Sequence, residues 1–155
     1  MLDLVIVPDL TGSMASVSRI LSKNCQELAQ RLNESLPGSR MTVAGIGNYA
    51  AGTLSKSFGD LKDLSSNVKE ITDFLNDNHG VRGGYSPGYT RSSCSAAYEL
   101  GLKECNRLTW RPDVAKVVLV IGDEECTSKS HGQQVDYKQE LVGLKEKDVQ
   151  VYGVQ

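Results

Sequence analysis

The sequence predicts an α/β domain in which helices cover both faces of a mostly parallel sheet with one antiparallel edge strand. Apolar runs with strand character alternate with segments whose apolar residues recur at helical spacing. Two of the runs, Leu2–Pro8 and 114–121, are nearly continuous in Val, Ile and Leu, as expected of parallel strands buried on both faces. The predicted order is β-α-β-β-α-α-β-α-β, with the first strand in the middle of the sheet.

The first half of the chain predicts a strand, a helix and a strand hairpin. Large apolar residues at helical spacing predict the first helix: Val17, Ile20, Leu21, Leu28 and Leu32. Pro37 and Gly38 end this helix. Residues 41–49 form the second predicted strand, and a tight turn at 50–52 joins it to a short antiparallel strand at 53–58.

The second half of the chain alternates helices and strands around a long loop. Apolar residues at helical spacing predict the second helix: Leu64, Val68, Ile71 and Leu75. Residues 78–90 contain too many Gly and Pro residues for a regular element. The next helix presents mostly small residues on one face, suited to close packing on a sheet: Cys94, Ala97, Tyr98, Gly101, Cys105 and Leu108. The strand at 114–121 is followed by a helix at 135–147 and a last strand at 149–154.

Length and charge limit the kind of protein this is. The 155 residues fit a single domain over 1–155. The sequence ends directly after a strand at Gln155, so we expect a domain truncated at its carboxyl end or the front of a longer protein. A net charge of −2 leaves no basic surface for nucleic acid. No apolar run could span a bilayer, and Asp3 interrupts the first apolar run where a signal peptide would continue. We therefore expect no membrane insertion and a cytoplasmic location.

The four cysteines, Cys25, Cys94, Cys105 and Cys126, do not form a metal-binding pattern. None belongs to a Cys-x-x-Cys pair, so no zinc site is predicted. We expect small core residues kept reduced, since free cysteine packs well in protein interiors.

Acidic and hydroxyl side chains follow the predicted strands at one edge of the sheet. Asp9, Thr11 and Ser13 come directly after the first strand, Asp123 follows the strand at 114–121, and Thr90 precedes a helix. Parallel strands bring their carboxyl ends to the same edge, where open α/β folds bind ligands. All five donors are oxygens, which favours Mg²⁺ or Mn²⁺ over zinc.

The sequence around this edge resembles the von Willebrand factor A domain and its metal-ion-dependent adhesion site. That family carries Asp-x-Ser-x-Ser after its first strand, and this chain reads Asp9-Leu10-Thr11-Gly12-Ser13-Met14, in which Thr11 replaces the first Ser and keeps the hydroxyl. Asp123, after Val118-Leu119-Val120-Ile121-Gly122, matches the family's acidic position after the fourth strand. The resemblance extends from Asp3 to about Gly153.

The resemblance also implies a third ligand loop and a mode of binding. Family members often carry Gly-Gly-Thr in this loop, whereas this chain reads Gly83-Gly84-Tyr85-Ser86-Pro87-Gly88-Tyr89-Thr90. Thr90 is the expected ligand and Ser86 the competing one. The resemblance implies that the hydroxyls contact Mg²⁺, or Mn²⁺ or Ca²⁺ in its place, directly, and that the aspartates act largely through water. A Glu or Asp of a protein partner would complete the shell, with Tyr85, Ser86 and Tyr89 at the partner-binding rim.

Other interpretations of the same residues stay open. Thr11, Ser13 and Thr90 are residue types that cap helices, and Thr11-Gly12-Ser13 could cradle an FMN phosphate in a flavodoxin-like redox domain. A von Willebrand A scaffold with a degenerate, metal-free site is a third possibility. An enzyme is not expected, because no histidine is placed to activate Ser13 and neither Gly-x-Ser-x-Gly nor a phosphate-binding Gly-Lys-Ser/Thr motif occurs.

Overall fold

The computed structural model describes residues 1–10, 14–47, 64, 67, 69, 73, 96–124 and 135–155. These residues form four strands: β1 (Leu2–Pro8), β2 (Arg40–Val43), β3 (Ala115–Ile121) and β4 (Gln150–Val154). They also form three helices: α1 (Ala15–Ser35), α2 (Tyr98–Arg107) and α3 (Tyr137–Glu146). The α/β class predicted from the alternating pattern is confirmed.

The described strands form a parallel sheet in the order β2-β1-β3-β4, with β1 inside the sheet as predicted. Leu4 of β1 pairs with Met41 of β2 on one side and with Val117 of β3 on the other. The predicted antiparallel strand at 53–58 lies outside the described residues. Of the predicted helix that begins near Leu64, the structure describes Leu64 and three further single residues.

The second strand is shorter than the predicted 41–49. Regular pairing ends at Val43, but the backbone continues beside β1 with hydrogen bonds from Ala44 N to Ile6 O and from Ile46 N to Pro8 O. An isolated bridge between Ile46 and Asp9 extends this contact to the end of β1. The prediction therefore located the segment correctly but overestimated its regular part.

Side chains of β1 alternate between two apolar cores, as the two-residue period of a strand requires. Val5 and Val7 face the core that contains Leu102 and Cys105 of α2. On the other face of the sheet, Leu4 and Ile6 belong to a core with α1 and β2 residues: Cys25, Ala29, Met41 and Val43. Helices thus lie on both faces of the sheet, as predicted, and Cys25 and Cys105 are buried free thiols.

Helix α1 packs on the sheet through a stripe that shares Leu21 and Leu32 with the predicted one. Among the side chains of α1 that the structure describes, Cys25 and Ala29 are buried, and Leu21 and Leu32 pack against the same core. At 100° per residue these four residues lie on one face of the helix. The small side chains of Cys25 and Ala29 let the helix approach the sheet. Three residues of the predicted stripe are exposed by at least a third: Val17 at 36%, Ile20 at 61% and Leu28 at 38%. The prediction was wrong for these three because it followed side-chain size.

Helix α2 approaches the sheet closely through Gly101, as its small-residue face predicts. A Cβ atom at this position would lie 2.7 Å from Val7 Cγ1 and 2.9 Å from Ile46 Cγ2. Such distances are shorter than normal van der Waals contacts. Glycine is therefore required for the observed contact between α2 and the strands.

The amino-terminal edge of the sheet carries a buried ion-pair network around Asp3. The Asp3 carboxylate accepts hydrogen bonds from Arg40 Nη2 at 2.7 Å and Arg111 Nη2 at 2.6 Å, and also from the Arg111 backbone N–H at 3.1 Å. Burial acts to raise the pKa of Asp3, but the hydrogen bonds from the two arginines outweigh it and hold the pKa below its ordinary value. This network links β1, β2 and the segment before β3.

β4, the edge strand next to β3, is largely exposed, with Tyr152 and Val154 accessible to solvent.

Among the helices that the structure describes, none combines the length and the apolar character needed to cross a membrane.

Candidate functional site

The carboxyl-terminal edge of the sheet brings together two of the predicted metal-site residues. β1 and β3 are neighbours, and their last residues, Pro8 and Ile121, are paired. Asp9 follows directly, and its backbone N–H donates to Ile121 O at 2.8 Å. Asp123 lies two residues beyond the end of β3. The side chain of Asp9 is fully buried, whereas Asp123 is exposed.

The remaining predicted site residues lie outside the described part of the chain. They are the hydroxyl donors Thr11, Ser13 and Thr90, and the rim residues Tyr85, Ser86 and Tyr89. Their assignment to the site remains a prediction from the sequence.

Glu124 also belongs to this edge, and it is exposed, as the sequence indicated for a residue of an acidic run. Its Oε2 accepts a hydrogen bond from the Ala96 backbone N–H at 2.7 Å. Partial burial raises the pKa of Glu124; the Ala96 N–H opposes this rise, and the charges of Asp9 and Asp123 add to it. Glu124 therefore connects the end of β3 to the segment that enters α2.

Tyr98, the first residue of α2, places its hydroxyl beside the same carboxylates. The residue is 2% exposed, and its Oη is buried. Burial is the main cause that raises the pKa of Tyr98, followed by the negative charge of Asp9. Glu124 and Asp123 contribute smaller charge effects, which the nearby Glu124 backbone N–H partly offsets. The sequence indicated Tyr98 only as a packing residue.

Gly122 creates the space for this hydroxyl. A Cβ atom at position 122 would lie 1.8 Å from Tyr98 Oη and 2.7 Å from its Cζ. No side chain larger than hydrogen fits there while Tyr98 keeps its position. The sequence contained a signal for this contact, since Gly122 stands between the apolar run of β3 and Asp123.

The described part of the edge is acidic and contains only oxygen donors. The charges of Asp9, Asp123 and Glu124 all raise the pKa of the Tyr98 phenol. The charges of Asp9 and Asp123 also raise the pKa of Glu124. Even so, within ranges 1–10, 14–47, 96–124 and 135–155 no three His, Cys, Asp or Glu side chains converge closely enough to hold a metal ion by themselves. The donor chemistry fits a hydrated Mg²⁺ ion, for which the predicted hydroxyls would supply further ligands.

Another buried acid, Glu99, follows Tyr98 in the first turn of α2. It is fully buried, and neither carboxylate oxygen has a hydrogen-bond partner among the described residues. Burial raises the pKa of Glu99 to about 7 from an ordinary value of 4.5. No feature of the sequence indicated this burial, because acidic residues commonly occupy the exposed first turn of a helix.

Comparison with solved structures identifies proteins of similar fold. Proximal thread matrix protein 1 from the mussel byssus, a protein of von Willebrand A-like fold, matches 98% of this chain with a TM-score of 0.60 and 18% identity. The pilus adhesin SpaC from Lactobacillus rhamnosus GG, in its open conformation, matches 78% of the chain with a TM-score of 0.56 and 15% identity. The chain covers only 34% and 14% of these two proteins.

At these identities the likeness concerns the fold alone. No family model and no curated protein sequence matches the chain. The class supported by the sheet order and by these neighbours is an α/β domain with a von Willebrand A-like fold.

Proposed function

We propose that this chain is a von Willebrand A-type module that binds a protein partner through Mg²⁺, with a Glu or Asp of the partner as the final metal ligand. Mn²⁺ or Ca²⁺ would be able to replace Mg²⁺. In this proposal the domain is not an enzyme. It acts by forming a metal-bridged contact that is lost when the cation is removed.

The observation that carries the proposal is the position of Asp9 beside the end of β3. It brings a buried carboxylate close to two further carboxylates, Asp123 and Glu124, whose oxygens are the ligands that hard divalent cations prefer. A divalent cation at this edge would be held by these oxygens, in part through water, and would leave coordination positions for an outside ligand.

Each predicted residue has a role in this mechanism. Asp9 and Asp123 would set the charge of the site and orient metal-bound waters, while Thr11 and Ser13 would be direct ligands. Thr90, or Ser86 in its place, would be the ligand that shifts between states. A change at one ligand alters how strongly the cation attracts an outside carboxylate, so the site would be able to switch its affinity.

The structural neighbours support an interaction role. One is named as a pilus adhesin and the other as a matrix protein of the mussel byssus, and a part of each has a similar fold. Tyr85 and Tyr89 would provide aromatic contacts for the partner, since tyrosine is enriched at the centres of protein interfaces.

Calorimetric titration with Mg²⁺ and with Mn²⁺ tests the proposal. We expect saturable binding by the natural chain, loss of binding in Asp9→Ala, and unchanged binding in Glu146→Gln, which alters an exposed acid on α3. Equal binding by the natural chain and Asp9→Ala would refute the site. A pull-down with and without chelator then tests the partner contact, which should disappear in chelator.

The two rival interpretations give different results in the same experiments. A yellow protein, or one that binds FMN and ignores Mg²⁺, would establish the flavodoxin-like alternative. Partner binding that is unchanged in chelator would establish a degenerate, metal-free site. The acidic edge formed by Asp9, Asp123 and Glu124 disfavours an anionic phosphate and therefore favours the metal-dependent function.

A further inference from the structure

An apolar groove runs beside α1, on the sheet face that α1 covers in part. In its floor, Leu119 and Ile121 of β3 stand next to Tyr152 and Val154 of β4. An apolar strand inside a parallel sheet is normally buried on both faces, but Leu119 and Ile121 are only partly buried. Tyr152 and Val154 are 51% and 49% exposed. A continuous apolar surface of the sheet is therefore open to solvent.

The wall of the groove is one flank of α1. A helix that connects two parallel neighbouring strands crosses over in the right-handed sense. At 100° per residue, this handedness turns the flank with Val17, Ile20 and Leu28 away from β2 and towards β3 and β4. These three residues are exposed, so the apolar surface of the floor continues up the side of the helix.

The width of the groove corresponds to one helix. Strands lie about 4.8 Å apart, so the four described strands are about 19 Å wide and take two helices of about 10 Å diameter on each face. Helices α2 and α3 both pack on the opposite face. On the face with the groove, α1 is the helix that the described part of the chain supplies.

We propose that this groove binds one amphipathic helix of a partner protein. The helix lies beside α1 and places its apolar stripe on Leu119, Ile121 and Tyr152, as in other complexes in which a helix occupies a hydrophobic groove. The inference does not rest on the proposed metal-dependent function.

The dimensions and the outer face of α1 argue against a second copy of the chain as the occupant. A stable dimer buries about 800 Å² from each copy, whereas the groove is a strip about 10 Å wide and about 20 Å long. To reach that area, two stacked copies would also have to bury the side of α1 that faces away from the sheet. That side carries the exposed charges of Lys23, Glu27 and Glu34, which are costly to bury.

The charge at the rim indicates the chemistry of the partner helix. Arg31 lies about 20° from Ile20 around the α1 axis, on the groove side, and its side chain is 74% exposed. Its pair with Glu27 is a surface ion pair of small energy. A helix that carries Glu or Asp beside its apolar stripe, at the edge facing α1, therefore complements the groove.

Fluorescence anisotropy with a labelled designed peptide tests the inference. The peptide has about 14 residues, which span about 20 Å as a helix, with leucines at helical spacing and glutamates beside them. A peptide of the same composition in scrambled order is the control. We expect the helical pattern to bind and the scrambled one not to bind.

Substitutions at exposed positions locate the binding. Ile20→Asn and Tyr152→Ser should each weaken peptide binding about tenfold, because each removes an apolar anchor. Val142→Ser is the matched control: Val142 is 57% exposed on α3, on the opposite face, and its loss should change binding by less than about twofold. Since surface changes of this kind rarely disturb folding, all three variants should remain folded.

A charge exchange tests the role of Arg31. Replacing the glutamates of the peptide with lysines should weaken its binding to the natural chain about threefold, the size expected of an exposed ion pair. Arg31→Glu should reverse this preference. An unchanged preference in Arg31→Glu would overturn the acidic character assigned to the partner helix.

Four results would overturn the groove as a partner site. They are equal binding of the designed and scrambled peptides, no binding of either, binding that Ile20→Asn and Tyr152→Ser leave unchanged, and a dimer in sedimentation that Ile20→Asn dissociates. The last result would assign the groove to a second copy. A longer natural form of the protein that does not bind the peptide would assign it to a segment of the same protein, and would also overturn the inference.

Discussion

The Tyr98 hydroxyl occupies the space in which a side chain at Gly122 would stand, since a Cβ atom at position 122 would lie 1.8 Å from Tyr98 Oη. This contact joins the first residue of α2 to the residue that follows β3. The end of β3 and the start of α2 therefore pack directly against each other at the acidic edge.

Gly122→Ala should therefore destabilise the protein by about 1–3 kcal/mol, the range expected for overpacking in a closed site. Chemical denaturation measures the effect. Gly153→Ala is the matched control, because a Cβ atom there has no neighbour within 4 Å, and it should leave stability nearly unchanged. Adding Tyr98→Phe should not rescue Gly122→Ala, since ring carbons of Tyr98 also lie within 2.9 Å of the new atom. Full rescue by Phe would contradict the packing described.

Gly101→Ala should also destabilise, by about 1–3 kcal/mol, because the added methyl group would meet both Val7 and Ile46. Unfolding in denaturant again provides the measurement. Combining Gly101→Ala with Val7→Ala should recover part of the lost stability, since the cavity left at Val7 accommodates the new methyl group. Strictly additive effects of the two changes would argue against direct contact, because residues in contact normally couple.

Glu99 should make stability fall as the pH rises from about 4.5 to about 7. Its pKa is raised in the folded state, so the folded chain holds a proton over this interval that the unfolded chain has lost. The free energy of unfolding is then highest below pH 4.5 and decreases by about 3 kcal/mol up to pH 7, since one pKa unit corresponds to about 1.36 kcal/mol.

Denaturation measured across this interval tests the Glu99 prediction. Glu99→Gln should remove most of the decrease, since an amide does not ionise. The control Glu27→Gln, at an exposed acid of α1, should keep the slope of the natural chain. Identical slopes in all three proteins would contradict the assignment to Glu99.

Asp3→Asn should cost about 3 kcal/mol of stability, because it leaves the Arg40 and Arg111 guanidinium groups without their buried counter-charge. Since the pKa of Asp3 is lowered, its contribution is complete above its ordinary value of 3.8 and is lost as the pH falls through the lower folded-state value. In thermal or chemical unfolding, Glu27→Gln should cost less than about 0.5 kcal/mol, because its pair with Arg31 is exposed. Comparable losses for the two changes would contradict this difference.

The fold was predictable where one signal dominated. β1 begins and ends at the predicted residues, and β3 differs by one residue, because both strands are almost continuous apolar runs. The end of β2 was not predictable, since the backbone beyond Val43 still bonds to β1 but in an irregular form. In α1 the apolar pattern included Ile20, which is exposed, and omitted Ala29, which is buried, because closeness to the sheet favoured small side chains.

The candidate site divides in the same way. The placement of Asp9 and Asp123 at one edge follows from strand order, which the alternating pattern encodes. The contacts of Glu124 and Tyr98 depend on where α2 begins relative to β3. That spatial relationship arises from tertiary packing, and neither an acidic run nor an apolar helix face specifies it.

Asp3 and Asp9 stand at opposite ends of the same buried strand, six residues apart. At about 3.3 Å per residue, β1 spans roughly 20 Å between the arginine network and the acidic edge. A shift of one residue along β1 would exchange its two faces, so that Val5 and Val7 would leave their core. The arginines around Asp3 exclude such a shift from the far end of the sheet. The position of Asp9 is thus determined partly by the guanidinium groups of Arg40 and Arg111, which lie at the opposite end of β1.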